Sequence, residues 1–199
     1  MATLLFQGHA SCRITADDGC TLYLDPFYGE GYDLPADLVV ITHQHHDHNA
    51  LDRVPQKPEA VILGPEQLLE GGRHRSRRVG PFLVEAVEAG NSNHSPAQCM
   101  GVVISVDGAT LYHGGDTSSV PGMDALAPRH LDWALLPVDG IYNMGPQEAA
   151  ACARRIGARH SIPIHTGTNA TQYLYNLSLA REMDCPGLTL LRHGETVRL

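Results

Sequence analysis

The chain has 199 residues, 43% hydrophobic and 18% charged, with a formal net charge of −8. That length supports a full core without staples, and the negative balance argues against a surface that coats nucleic acid. No run nears the roughly 18 apolar residues that span a bilayer, Met1–His9 lacks the basic start of a secretory leader, and five scattered cysteines without a C-x-x-C pair read as reduced thiols in the cytoplasm.

In chain order, residues 3–7 predict a first strand, interrupted at Gly8-His9-Ala10 and resumed over 11–16. Asp17-Asp18-Gly19 is a hairpin signal. Its partner strand, 20–24, is stopped by Pro26, which leaves Asp25 at the strand end. Leu38–Ile41 is apolar without alternation, which predicts a strand buried on both faces. It runs into Thr42-His43-Gln44-His45-His46-Asp47-His48. Residues 50–54 predict a helical turn or two, 59–63 a strand, and 64–71 a helix with Pro near its start and Gly at its end. Arg73–Arg78 is a dense basic run that reads as a solvated strand edge or loop. Its functional reading is a phosphate contact or a subunit-interface patch, which leaves a homo-oligomer open. Strands are expected at 82–89, 98–106, 109–113, 131–137 and 161–165, and helices at 122–126, 146–156 and 169–183. Residues 188–191 and 195–197 read as a closing hairpin. There is no internal repeat. The expectation is one domain over 1–199 of α+β class, with two mostly antiparallel sheets packed face to face and helices outside.

The His-rich stretch carries the chemistry. His43 and His45 are two apart, so an extended backbone points both imidazoles to one side. Asp47 and His48 follow where the chain must turn. Bond directions diverge across that turn, so the spacing predicts two metals, His43 and His45 on one and Asp47 and His48 on the other. A solvated loop would favour Gly, Asn, Ser and Lys instead. Other strand-like runs end in His94, Asp116 and His165. Singly these read as a loop histidine, a helix cap and a satisfied histidine near the core. With the cluster they make five His and two Asp, enough for two metals. That set suits Zn²⁺, and also Mn²⁺ or Fe²⁺, since no thiolate is among the donors. No G-x-S-x-G elbow supports a serine hydrolase.

Gly8-His9-Ala10-Ser11, Leu24-Asp25-Pro26-Phe27, the Thr42–His48 element, His94, Tyr112-His113-Gly114-Gly115-Asp116-Thr117, Tyr142-Asn143-Met144 and Ile162-Pro163-Ile164-His165 fall in a familiar order. Over nearly the whole chain the sequence resembles the metallo-β-lactamase fold superfamily. It looks like the small single-domain branch that includes ascorbate-6-phosphate lactonase. The resemblance implies an αββα four-layer sandwich with metals at one edge of the sheets. It assigns His43, His45 and His94 to one metal, Asp47, His48 and His165 to the other, and Asp116 to both. His9 and Asp25 would orient ligands. His46 would face away. Two divalent ions are expected, zinc first, with manganese or iron as alternatives. The reaction implied is hydrolysis of a small ester, lactone or phosphodiester by a metal-bridging hydroxide, with Asp47 moving the proton. Tyr142 and Asn143 would contact a small-molecule substrate. Neither nucleic acid nor a membrane is an expected partner. The alternatives are a phosphodiesterase or nuclease, whose basic groove only residues 73–78 offer, and a metal-binding module without catalysis.

Overall fold

The computed structural model describes residues 1–199. Leu38, Val39, Val40 and Ile41 are all buried. Leu38 and Val40 enter the main core, and Val39 and Ile41 a smaller one on the opposite face. Strand β4 (Ala36–Val40) is thus covered on both sides, which is why its residues do not alternate.

Two six-stranded sheets face each other. The first runs β14 (Thr196–Arg198), β1 (Thr3–Gly8), β2 (Ser11–Thr15), β3 (Thr21–Leu24), β4, β5 (Gln56–Leu63). The second runs β13 (His160–Ile164), β12 (Trp133–Pro137), β11 (Ala109–His113), β10 (Met100–Val106), β9 (Phe82–Glu88), β8 (Ser76–Val79). Each sheet is antiparallel at one side and parallel at the other: β3, β4 and β5 in the first, β11, β12 and β13 in the second. Parallel neighbours need long crossovers, and helix α2 (Pro146–Ile156) is the one from β12 to β13. Its Ala149, Ala150, Ala153 and Ile156 pack on Tyr112, Ala134 and Leu136, on the outer face of the second sheet. Between the sheets lies the main core of 26 buried residues, including Leu24, Val40, Val102 and Leu135. The expected sandwich is present, with antiparallel pairings in the majority. Its outer layers are unequal. The first sheet is covered by a short 3₁₀ turn, Leu51–Arg53, and by the loop carrying Tyr32.

Asp107-Gly108 forms the turn between β10 and β11, with both residues at positive φ. Three expectations need correction. The helix over 64–71 shrinks to α1 (Pro65–Leu68), because Leu69–Glu70 (β6) pairs with Arg73–His74 (β7). The long helix over 169–183 is a 3₁₀ turn, Asn169–Thr171, followed by α3 (Leu177–Arg181). Gln172 and Tyr173 both take left-handed φ, which no α-helix continues through. The closing hairpin is absent as well. Thr189 bonds to Ser161, while β14 adds to β1 at the sheet edge.

Leu135 is buried in a central strand between the sheets. Leu135→Ala is expected to lower unfolding stability by about 2–5 kcal/mol, read from urea melts. A loss under ~1 kcal/mol would show that this layer repacks without a cavity.

Candidate metal centre

The carboxyl ends of the parallel strands converge at one edge of the sandwich. Asp25 follows β3, His43–His48 follow β4, Asp116 follows β11, Asp139 follows β12 and His165 follows β13. Open parallel sheets gather ligands at this end because successive strands deliver their last residues side by side. His9 and His94 join from the loops after β1 and β9. A direct bond from His165 N–H to the His9 carbonyl, 2.7 Å, ties the two sheets together here.

Three donor groups result. His43, His45 and His94 form one; His9, Asp47, His48 and His165 form another; His43, His48 and Asp116 link them. Asp116 faces both ways. Its Oδ2 lies 3.3 Å from His94 Nε2, and its Oδ1 lies 3.2 Å from His48 Nε2 and 3.5 Å from His165 Nε2. Gly115 makes this possible. Its φ is +60°, and a Cβ there would lie 2.7 Å from Thr42 Oγ1. His113 braces the same turn, donating Nε2–H to the Ala10 carbonyl and accepting the Gly115 N–H at Nδ1.

Hydrogen bonds behind the rings decide which nitrogen faces inward. His48 Nδ1 donates to Asp25 Oδ2 at 2.8 Å. Asp25 also accepts the Thr42 N–H and hydroxyl, both at 2.7 Å. With its proton so committed, Thr42 Oγ1 can only accept from His43 Nδ1 at 3.1 Å. A second chain runs His94 Nδ1 to Asn91 Oδ1 (2.8 Å), Asn91 Nδ2 to Asn143 Oδ1 (3.1 Å), and Asn143 Nδ2 to Asp139 Oδ2 (2.8 Å). Asp139 Oδ2 lies 3.0 Å from His165 Nδ1. Each chain therefore joins one ring of each group and turns its Nε2 to the centre.

Burial opposes charge on every group here, and the carboxylates decide where that opposition is overcome. Burial lowers the His43 pKa to about 3 and the His9 pKa to about 4. For His48, burial is outweighed by Asp116 and Asp25, and its pKa rises well above 6.5. His165 rises too, with Asp116 and Asp139 overcoming burial. Asp116 is itself held well below the usual carboxylate range, because His48 and His165 outweigh its burial.

The donor set fits a metal. Nε2 of His43, His48 and His165 and Oδ1 of Asp116 are buried without a hydrogen-bond partner. Native interiors leave few such atoms. A cation would satisfy these four convergent ligand-type atoms together.

The structure brings together His43, His45, Asp47, His48, His94, Asp116 and His165. His9 sits beside them, its Nε2 3.3 Å from Asp47 Oδ2, and Asp25 beneath them. Tyr142 is 43% exposed and lines the cavity over the cluster. Asn143 requires a correction. It is buried and does not line the cavity: its Oδ1 accepts from Asn91 and its Nδ2 donates to Asp139, so the amide is turned to the network behind the rings. His46 does not face away: its Nε2 lies 3.2 Å from Tyr173 Oη at the cavity wall. Asp139 was legible by the same signature as Asp116, an acid at an apolar strand end beside glycine, yet was not singled out. Tyr173 had no local signal, since its position depends on the left-handed turn at Gln172.

The fold and donor cluster together define a metal-dependent hydrolase of the metallo-β-lactamase fold. Residues 3–165 match the family described as the beta-lactamase superfamily domain. A UPF0173 metal-dependent hydrolase from Methanoregula boonei is 33% identical over 184 residues, covering 83% of this chain and 82% of that protein. Another from Myxococcus xanthus is 32% identical over 192 residues, covering 81% and 69%. The metallo hydrolase Igni18 from Ignicoccus hospitalis superposes with a TM-score of 0.77 at 21% identity, over 98% of this chain and 97% of that one, a likeness of fold. The chain belongs to the UPF0173 metal-dependent hydrolases of the beta-lactamase superfamily.

Two predictions follow from the bonding behind the rings. Asn143→Leu keeps the branched shape but cuts the chain between Asn91 and Asp139. Metal affinity should fall about 10–100-fold with the circular dichroism spectrum unchanged; wild-type affinity in a chelator competition would refute the role. Metal capture must also displace the His48 proton. The raised pKa means that proton stabilises the metal-free fold fully below pH 6.5 and ceases to as pH rises through the folded value. Metal affinity has the opposite slope, rising with pH, on the order of tenfold per unit for one displaced proton. Chelator competition at pH 6 and pH 8 reads the slope, and a flat profile would contradict it.

Proposed function

We propose that this protein is a dinuclear metal hydrolase of small ester or lactone substrates, working in the cytoplasm as one domain over residues 1–199. The observation that carries the reading is Asp116, whose two carboxylate oxygens face different histidine groups. His43, His45 and His94 would hold one ion, and Asp47, His48 and His165 the second. Asp116 would be shared. Zinc suits this nitrogen- and oxygen-only set, as do manganese and iron. Bound there, two ions would lower the pKa of a water and polarise the carbonyl under attack.

The chain's own residues supply the rest. Asp47 reaches the cavity with its Oδ2 bonded to His9. His9 is kept neutral by burial, so it donates one N–H and holds the carboxylate in a single rotamer. With Oδ2 also serving the second ion, the other oxygen, Oδ1, would be available to take the proton of the attacking water and return it to the leaving group. Asp25 and Asp139 hold their histidines so that no reorganisation is needed during reaction.

The nuclease alternative has less support. Residues 73–78 span β7, the linking Arg75 and the start of β8, and none of the arginines there lines either cavity beside the cluster. Arg75 is paired with Glu70.

Asp47→Ala is expected to cut hydrolysis at least 10²–10⁴-fold while thermal melting remains cooperative. Elemental analysis should return two ions per chain in the wild type and fewer in Asp116→Ala. Full activity of purified Asp47→Ala, or a single ion in the fully active wild type, would sink the mechanism.

A further inference from the structure

The cavity above the cluster has about 400 Å³ of space. Its floor is the donor cluster, and its walls are Tyr142, Tyr173, Asn93, Thr168 and Asn169. No lysine or arginine lines it. A second cavity shares His45, Asn93 and His94 as its wall and adds Gln44, Gln98 and Glu66. It has no lysine or arginine either. On both sides of the reacting centre, then, side chains offer amides, hydroxyls, phenols and carboxylates, but no fixed cation.

A dianionic handle on a substrate needs a cationic partner once it leaves water, because an unpaired buried charge is costly. Phosphate sites meet this need with arginine forks or a lysine. Neither exists here beyond the proposed ions, which the reacting group itself engages. A phosphorylated lactone would leave its phosphate without a partner.

The aromatic wall is held at a conformational cost. Gln172 and Tyr173 are consecutive non-glycine residues at φ +54° and +57°. The Tyr173 N–H bonds to the Thr168 carbonyl at 2.9 Å. A Cβ on Gly167 would collide with the Leu174 carbonyl, so the loop closes tightly only with glycine there. The Tyr173 ring meets His9 and Phe27 edge-on, with centroids 4.8 and 4.9 Å apart. Strain of this kind persists where surrounding structure enforces it, and it clusters at functional sites.

We infer that the substrate is an uncharged lactone or ester bearing an aromatic or flat apolar group beside the scissile carbonyl, and that Tyr173 sets this preference. The inference rests on the hydrolase reading above. The group packs on the Tyr173 and Tyr142 rings, while the carbonyl meets the donor cluster.

The test uses the full chain loaded with zinc or manganese. Dihydrocoumarin and γ-butyrolactone serve as aromatic and compact lactones, and 4-nitrophenyl phosphate and bis(4-nitrophenyl) phosphate as phosphorylated probes. The expected order of kcat/KM is dihydrocoumarin first, the compact lactone next and both phosphates far behind. Tyr173→Ser should raise KM on the order of 3- to 10-fold for dihydrocoumarin, more than for γ-butyrolactone, and Tyr173→Phe should restore the aromatic preference. Phosphates turned over as well as the lactones would overturn the substrate class and leave the hydrolase reading standing. An equal KM effect on both lactones would remove Tyr173 as its determinant. No turnover of any probe by metal-loaded protein would overturn the hydrolase reading, and this inference with it.

Discussion

A buried carboxylate that faces two histidine groups at once is the constraint on which this structure depends. Asp116 lies in a low-dielectric pocket with Asp25 close behind it through His48. Two buried negative charges are tolerable only with compensating positive charge nearby. Without a cation that charge would fall to His48, whose pKa both carboxylates raise against its burial. That is a partial solution, since the inward nitrogens of His43 and His165 still lack partners. Cations placed between the groups would complete the compensation and coordinate these nitrogens. The same electrostatics would make metal the stabilising ligand of the edge where both sheets end.

That edge exists because of the strand directions. If all pairings were antiparallel, successive strand ends would alternate between the two edges of the sandwich. The change to parallel pairing at β3–β5 and β11–β13 delivers the ends of β3, β4, β11, β12 and β13 to one place. Crossovers on the outer faces are the consequence. The α2 crossover is stabilised by an alanine-rich face on the second sheet. The β4–β5 crossover is mostly the metal-binding loop itself, so the first sheet has only a thin outer cover.

These relations explain what could be read from the residues alone. The Leu38–Ile41 run and the His43–His48 spacing are local patterns with a physical meaning, and both recur in the fold. The other donors, His94, Asp116 and His165, were legible because each follows a strand-like segment, His165 directly at its end and Asp116 and His94 in the loops beyond. The expectation of Asn143 as a substrate contact missed a long-range relation. Its amide lies between Asn91 and Asp139, and the sequence distance of 52 residues to Asn91 hides that contact. The helix expected over 169–183 failed because propensity does not register two successive left-handed residues. Tertiary contacts of Tyr173 with His9 and Phe27 hold that conformation.

Non-glycine residues with left-handed φ show how the two levels meet. There are seven: His9, Asp25, His165, Gln172 and Tyr173 surround the site, while Asp107 and His130 serve ordinary turns. Each costs some conformational energy, and at the site each aims a side chain where a regular strand or helix could not. His9 turns back over His165, with ring centroids 3.8 Å apart. Asp25 reaches His48 and Thr42 together. The directional bonds behind the histidines do the complementary work. Reversing the Asn143 amide would set its oxygen against the Asp139 carboxylate and its nitrogen against the Asn91 amide nitrogen, so only one orientation satisfies both ends. The inward nitrogens are thereby fixed by folding rather than by the arrival of an ion. A site preorganised in this way resists change at its floor, and the freedom to alter substrate lies in the walls, where Tyr142 and Tyr173 stand on loops outside both sheets.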